Sequence, residues 1–242
     1  MNDTRRIKTF IGAMMLAAIG TTAYAGFVSH RLHTYFAFAV LVLAAVTSRM
    51  KVKLPGINGN MSVNLPFLLA AVVNLSAAEV TVITCVSTLV QCWPQKNTKF
   101  NPQQIAFNLS MMTFASCLAS LMFHGDWLRR MQWSSSTLGL VLATATVLLG
   151  QTVPVAAIVA MSEGKAAGHI WWNLAHLSFP YYVVSAGVTS MVQAVSSHIG
   201  WGPALAVFLV MYGIHRSYRL YFGRMAETPC TASLVRSAGV GA

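Results

Sequence analysis

Six stretches of this chain carry no Asp, Glu, Lys or Arg: residues 9–30, 32–48, 54–78, 100–125, 131–162 and 166–215. A helix needs about 20 apolar residues to cross the hydrocarbon of a bilayer, and each stretch approaches or exceeds that length. Only 9% of the 242 residues are charged, against roughly 25% in an average soluble domain. So few charges cannot cover a water-facing surface of this size, which excludes a soluble enzyme and a disordered chain. A membrane β-barrel is excluded as well, because its strands alternate polar and apolar residues and these stretches do not. The fold class read from the residues is an all-α, polytopic membrane bundle.

The formal charge of +11 raises the question of nucleic acid, since basic domains commonly bind phosphate backbones. The sixteen Lys and Arg lie instead in short clusters beside apolar spans, where orientation signals belong. No basic face of any length exists, so no nucleic-acid partner is expected. Three cysteines, Cys85, Cys92 and Cys117, fall inside apolar segments and Cys230 lies in the tail. Their spacing matches neither a redox pair nor a metal site, and they read as packing residues.

Spans are expected at about 9–28, 34–48, 61–75, 77–93, 101–123, 137–161, 176–196 and 201–216. The turn-rich Pro55-Gly56-Ile57-Asn58-Gly59-Asn60 separates the second from the third. With the N-terminus in the cytoplasm and eight alternating spans, thirteen basic residues face inward. They are Arg5, Arg6, Lys8, Arg49, Lys51, Lys53, Lys96, Lys99, Lys165, Arg216, Arg219, Arg224 and Arg236. Only Arg31, Arg129 and Arg130 face outward, a split that obeys the positive-inside rule. Both termini are then cytoplasmic. Residues 1–226 form one transmembrane domain, and 227–242 a short cytoplasmic tail expected to be disordered. The pair 61–75 and 77–93 is short for independent crossings and is expected either to tilt or to enter partway. Ala23-Tyr24-Ala25 before Gly26 has the form of a signal cleavage site, but seven further spans favour an uncleaved signal-anchor helix.

Ionisable and amide side chains at membrane depth are the candidates for function. Glu79 is the only acidic one, and Ser76-Ala77-Ala78-Glu79 also fits a capping box; the cap is favoured over a ligand or proton role. Gln104 and Asn108 stand one turn apart on the fifth span, and Gln151 precedes Pro154 by three residues. Interhelical hydrogen bonding is the ordinary use of such amides, and Gln151 is also placed to satisfy the carbonyl that Pro154 frees. Glu79, Gln104, Asn108 and Gln151 are the candidate cavity-lining set; Met111 is taken as lipid-facing. Trp171, Trp172, Tyr181 and Tyr182 read as an interfacial aromatic belt, with Arg216 and Arg219 reaching toward headgroups from the last span. His169, Asn173 and His176 share a helical face, but without a third ligand they read as an interfacial helix rather than a metal site.

No HExxH, GxSxG, P-loop or GxGxxG pattern occurs in the chain, and those patterns carry hydrolytic and nucleotide chemistry. No paired groups stand ready for general acid–base work. No catalytic residue, metal or cofactor is assigned, and an enzyme is not expected.

The middle of the chain resembles a known family. Its features begin with Leu54–Asn60 leading into Met61-Ser62-Val63-Asn64-Leu65-Pro66-Phe67-Leu68-Leu69, followed by the helix pair across Leu75–Val90. Phe107-Asn108, Gln151 and the exit Ser217-Tyr218-Arg219-Leu220-Tyr221 complete them. From about Lys51 to Glu227 the chain resembles the N-terminal multispan membrane domains of bacterial signalling proteins, which precede diguanylate cyclase (GGDEF), HD-GYP phosphodiesterase or histidine kinase output domains. The resemblance implies a sensory or regulatory input module of the bacterial inner membrane, whose last helix passes a signal to a cytoplasmic effector. The chain departs from the pattern in ending fifteen residues after Glu227, before any output domain. A stand-alone module is therefore expected, working through a cytoplasmic signalling partner or as a homo-oligomer. The rival expectation is a small-molecule transporter or substrate-capture subunit, for which a proline-interrupted helix and a re-entrant segment suit a midplane site.

Overall fold

The computed structural model describes residues 2–28, 34–53, 60–62, 64–93, 101–125 and 136–199, together with Gly213, Arg216 and Ser217. Seven helices and one short ribbon make up this part: α1 (Asn2–Val28), α2 (Thr34–Ser48), β1 (Lys51–Lys53), β2 (Asn60–Ser62), α3 (Leu65–Asn74), α4 (Ala77–Cys92), α5 (Pro102–His124), α6 (Ser136–Glu163) and α7 (Ala167–Ile199). The strands pair antiparallel, with Val52 opposite Met61. Apart from Gly213 and Arg216, the expected span at 201–216 lies outside the described residues, as do the tail and the loop 126–135.

Among the described residues, three helices are long and apolar enough to cross a membrane: Arg5–Phe27, Pro102–His124 and Thr137–Glu163. This agrees with the membrane composition of the chain. Helix boundaries follow local chemistry. Asn101 caps α5 by accepting from the Gln104 amide at 3.4 Å, with Pro102 at the first helical position; proline suits that place because the amide there has no intrahelical partner. Gly164 ends α6 at φ +66°, a left-handed conformation that glycine adopts without steric cost. Its amide bonds back to the Ala160 carbonyl at 2.9 Å. Helix α7 begins at Ala167, nine residues before the expected seventh span, so His169, Asn173 and His176 belong to its first turns.

Two pairings fix the direction of neighbouring helices. Phe10 meets Phe107 with ring centroids 6.4 Å apart, and the Cys117 thiol donates to the Thr21 carbonyl at 3.3 Å. Both numbers rise together along the two chains, so α1 and α5 run parallel. Helix α4 runs the other way: Cys85 lies 3.3 Å from the Thr113 hydroxyl, and the Asn108 amide donates to Cys92 at 3.6 Å. The centre of the bundle collects Val40, Leu65, Leu68, Leu69, Val72, Val80, Ile83, Phe107, Leu140 and Val147. Met111, expected to face lipid, is buried in this core, one turn after Phe107 on α5.

Helix α3 is unlike its neighbours. At 10 residues it is about 15 Å long, half the thickness of a bilayer core. Eight of those residues are buried, and a helix apolar on every side belongs inside protein. Its N-terminus is tied into the bundle. The Leu65 amide bonds to the Tyr181 hydroxyl at 3.3 Å, Tyr182 bonds to Gln151, and the adjoining Gly150 packs on Ala115 of α5. At its far end, the connection Leu75-Ser76 delivers α4, whose Ala77 packs with Ala25, Cys117 and Leu121.

Candidate functional site

The four amide and acidic candidates do not converge. Gln104 is exposed in the first turn of α5, and Asn108 is half-buried beside Cys92 at the C-terminal end of α4. Glu79 is thirteen residues from Cys92, about 20 Å along the same helix. Its carboxylate accepts from the Ser76 amide at 3.0 Å and the Ser76 hydroxyl at 2.8 Å, while the Glu79 amide donates to Ser76 Oγ at 3.4 Å. That is the reciprocal capping box expected of Ser76-x-x-Glu79. The carboxylate also lies at the helix end where the macrodipole favours negative charge.

Gln151 bonds across to a neighbouring helix, as expected of an amide at that place. Of its two expected roles it takes the interhelical bond rather than the backbone freed by Pro154: its Oε1 accepts from Tyr182 Oη at 2.6 Å, and its Nε2 is buried without a hydrogen-bond partner. Proline at 154 withholds an amide from the Gly150 carbonyl, as Pro180 in α7 does from His176, so both helices carry a backbone interruption at depth. One turn of α6 thus combines Gly150 against Ala115, Gln151 on Tyr182, and Thr152 accepting from the Trp171 indole at 3.1 Å.

Tyr181 and Tyr182, read as interfacial from their neighbours Trp171 and Trp172, are buried in the bundle. The Tyr181 hydroxyl receives the Leu65 amide, and Thr189 one face further along donates to the Pro66 carbonyl at 3.3 Å. Together they tie α7 to the first turn of α3. Trp172 is exposed and Trp171 half-buried, and Arg216 is exposed; Arg219 lies outside the described residues. His169 and His176 are exposed, with Asn173 Nδ2 3.4 Å from His169. No group of three His, Cys, Asp or Glu stands close enough to hold a metal among the described residues.

Asn64, Thr84, Thr88 and Gln91 are not among the sequence candidates, and Ser116 and Ser120 read from the sequence only as part of a small, hydroxylated packing surface on the fifth span. Each holds a buried side-chain polar atom with no hydrogen-bond partner, and leaving one such group unpaired costs about 1–3 kcal/mol. Asn64 sits at the N-cap of α3, yet its side chain makes no capping bond. The signal was present in part: Thr84, Thr88 and Gln91 recur at i, i+4 and i+7. Whether such a stripe bonds to its own helix depends on rotamers that spacing does not reveal.

Set against family models, curated proteins and solved structures, the chain finds no match in any of the three. Function is therefore argued from the bundle itself.

Proposed function

We propose that this chain is an eight-span protein of a bacterial inner membrane, with both termini cytoplasmic, that works as a sensory or regulatory input module rather than as an enzyme. The parallel course of α1 and α5 supports the topology, because it requires one net return crossing between them. Helix α2 supplies that return whether the α3–α4 pair enters partway or crosses. Orientation rests on the thirteen inward and three outward basic residues.

The observation that carries the sensory reading is the junction of α6 and α7. Two proline-interrupted helices are joined there by the buried Tyr182–Gln151 bond and by Trp171–Thr152. Pro154 and Pro180 stand three and two residues from that first bond, so a stimulus that breaks it releases two bendable helices at once. Helix α7 leads toward Arg216 and the exit segment, which passes the shift to a cytoplasmic partner. Pull-down from native membranes with mass spectrometry tests this: a cyclase, kinase or phosphodiesterase among the partners supports it.

A transporter or substrate-capture subunit is the second reading, favoured by α3. A half-length helix buried inside the bundle, with a buried amide at its N-cap, is a form that midplane binding sites use. Recovery of an ATPase subunit in the same pull-down would favour it.

A further inference from the structure

Most threonines in these helices spend their hydroxyl on their own backbone. Thr21, Thr47, Thr81, Thr144, Thr146, Thr152 and Thr189 each donate to the carbonyl four residues back, at 2.7–3.0 Å. Thr84 and Thr88 do not, and neither does Ser116 or Ser120 on α5; all four are between 0% and 1% exposed and their hydroxyls have no partner. Gln91 adds an unpartnered buried Oε1 to the same α4 face.

These atoms form a line. At 100° per residue, Thr84, Thr88 and Gln91 lie on the side of α4 opposite Val82 and Leu89, which are 56% and 45% exposed; the stripe therefore faces the bundle interior. On α5, Ser116 and Ser120 lie between the surface turned to α4, marked by Thr113, and the surface turned to α6, marked by Ala115. They point away from Phe107, which meets α1. The antiparallel pairings Cys85–Thr113 and Cys92–Asn108 set Thr84 level with residue 115, next to Ser116. Unpartnered oxygens thus follow one another from Ser120, through Ser116, Thr84 and Thr88, to Gln91. Ordinary helix–helix adhesion by Ser and Thr would show these groups bonded across the interface, and they are not.

We propose that the seam between the Thr84–Thr88–Gln91 stripe of α4 and the Ser116–Ser120 stripe of α5 takes up water and small neutral hydrogen-bonding solutes at the centre of the membrane. The seam is closed in this structure and opens by separation of α4 from α5. Its chemistry selects against ions: hydroxyl and amide oxygens line it, and no charged side chain among the described residues lies on either stripe. Hydroxyls both donate and accept, so each can relay a guest molecule to the next. The proposal requires the membrane-spanning reading but not the signalling one, and its test reads access alone.

The test places single cysteines at Thr84, Thr88 and Ser116, with Val82→Cys and Leu89→Cys as lipid-facing controls. The chain carries Ala in place of its four native cysteines and stays in native membranes, and N-ethylmaleimide is the probe. Because the reacting species is the thiolate, which needs water to form, the three seam positions are expected to react at least about tenfold faster than the controls. Equal rates at all five positions would overturn the proposal. Adding Thr84→Val and Thr88→Val keeps side-chain shape while removing the hydroxyls, and is expected to slow the reaction at Ser116→Cys by about tenfold or more. An unchanged rate there would also overturn it.

Discussion

The Tyr182 hydroxyl donates to Gln151 Oε1 across 2.6 Å, and that bond sits inside the bundle between two helices that each contain a proline. Within one turn of Gln151, α6 also touches α5 and Trp171, so the bond is a node rather than a peripheral contact. Tyr182→Phe deletes it and leaves the Gln151 amide with neither of its polar atoms bonded to a side chain. The expected loss is about 0.5–2 kcal/mol of thermal stability in detergent. Gln151→Leu should cost less when combined with Tyr182→Phe than the two single losses summed. A double-mutant cycle measures the coupling, and additive losses would show that the bond contributes nothing.

Gly150 sets the approach of α6 to α5. A Cβ built at this position would lie 2.7 Å from the Ala115 Cβ, a distance only a helix shift can relieve. Gly150→Ala is expected to destabilise by about 1–3 kcal/mol through overpacking, and Ala115→Gly in the same chain should restore part of it. Thermal unfolding of the parent protein and the two variants in one detergent gives the comparison.

The capping box gives a local prediction. Ser76→Ala removes the one hydroxyl that both accepts from the Glu79 amide and donates to its carboxylate, at a cost of about 1 kcal/mol. Glu79→Gln keeps an acceptor for the Ser76 amide and should cost less than Glu79→Leu. If Glu79→Gln instead abolishes a signalling or uptake readout at unchanged melting temperature, the carboxylate has a role beyond capping.

These predictions also show what could be read from the residues. The capping box and the Asn101-Pro102 start of α5 were legible because cap chemistry is complete within four residues. The α3–α4 break at Leu75-Ser76 was legible for the same reason. The Tyr182–Gln151 bond joins residues thirty-one apart and depends on how α6 and α7 cross, which no local pattern encodes. Tyr181 and Tyr182 looked interfacial because aromatic residues beside Trp171 and Trp172 usually mark headgroup depth. An additional nine residues at the start of α7 move them about 13 Å further along the helix, into the core. The burial of Met111 likewise depends on how neighbouring helices surround α5, which composition alone does not encode.

Asn108 tests how far an amide at a helix end matters. Its one side-chain bond is the long 3.6 Å contact to Cys92, so Asn108→Leu should lower stability by less than about 1 kcal/mol. Val153→Leu, on an exposed part of α6, is the lipid-facing control. A loss of several kcal/mol at Asn108 alone, measured by thermal shift, would place it in a tighter network than the structure shows.

The account depends above all on lipid being the solvent around these helices, with the cations sorted to the inner leaflet. Dual reporter fusions, alkaline phosphatase against green fluorescent protein, placed after Lys99, after Arg130 and after Lys165 measure this directly. Fluorescence after Lys99 and Lys165 with phosphatase activity after Arg130 is the predicted pattern. Phosphatase activity after Lys99 or Lys165 would contradict it.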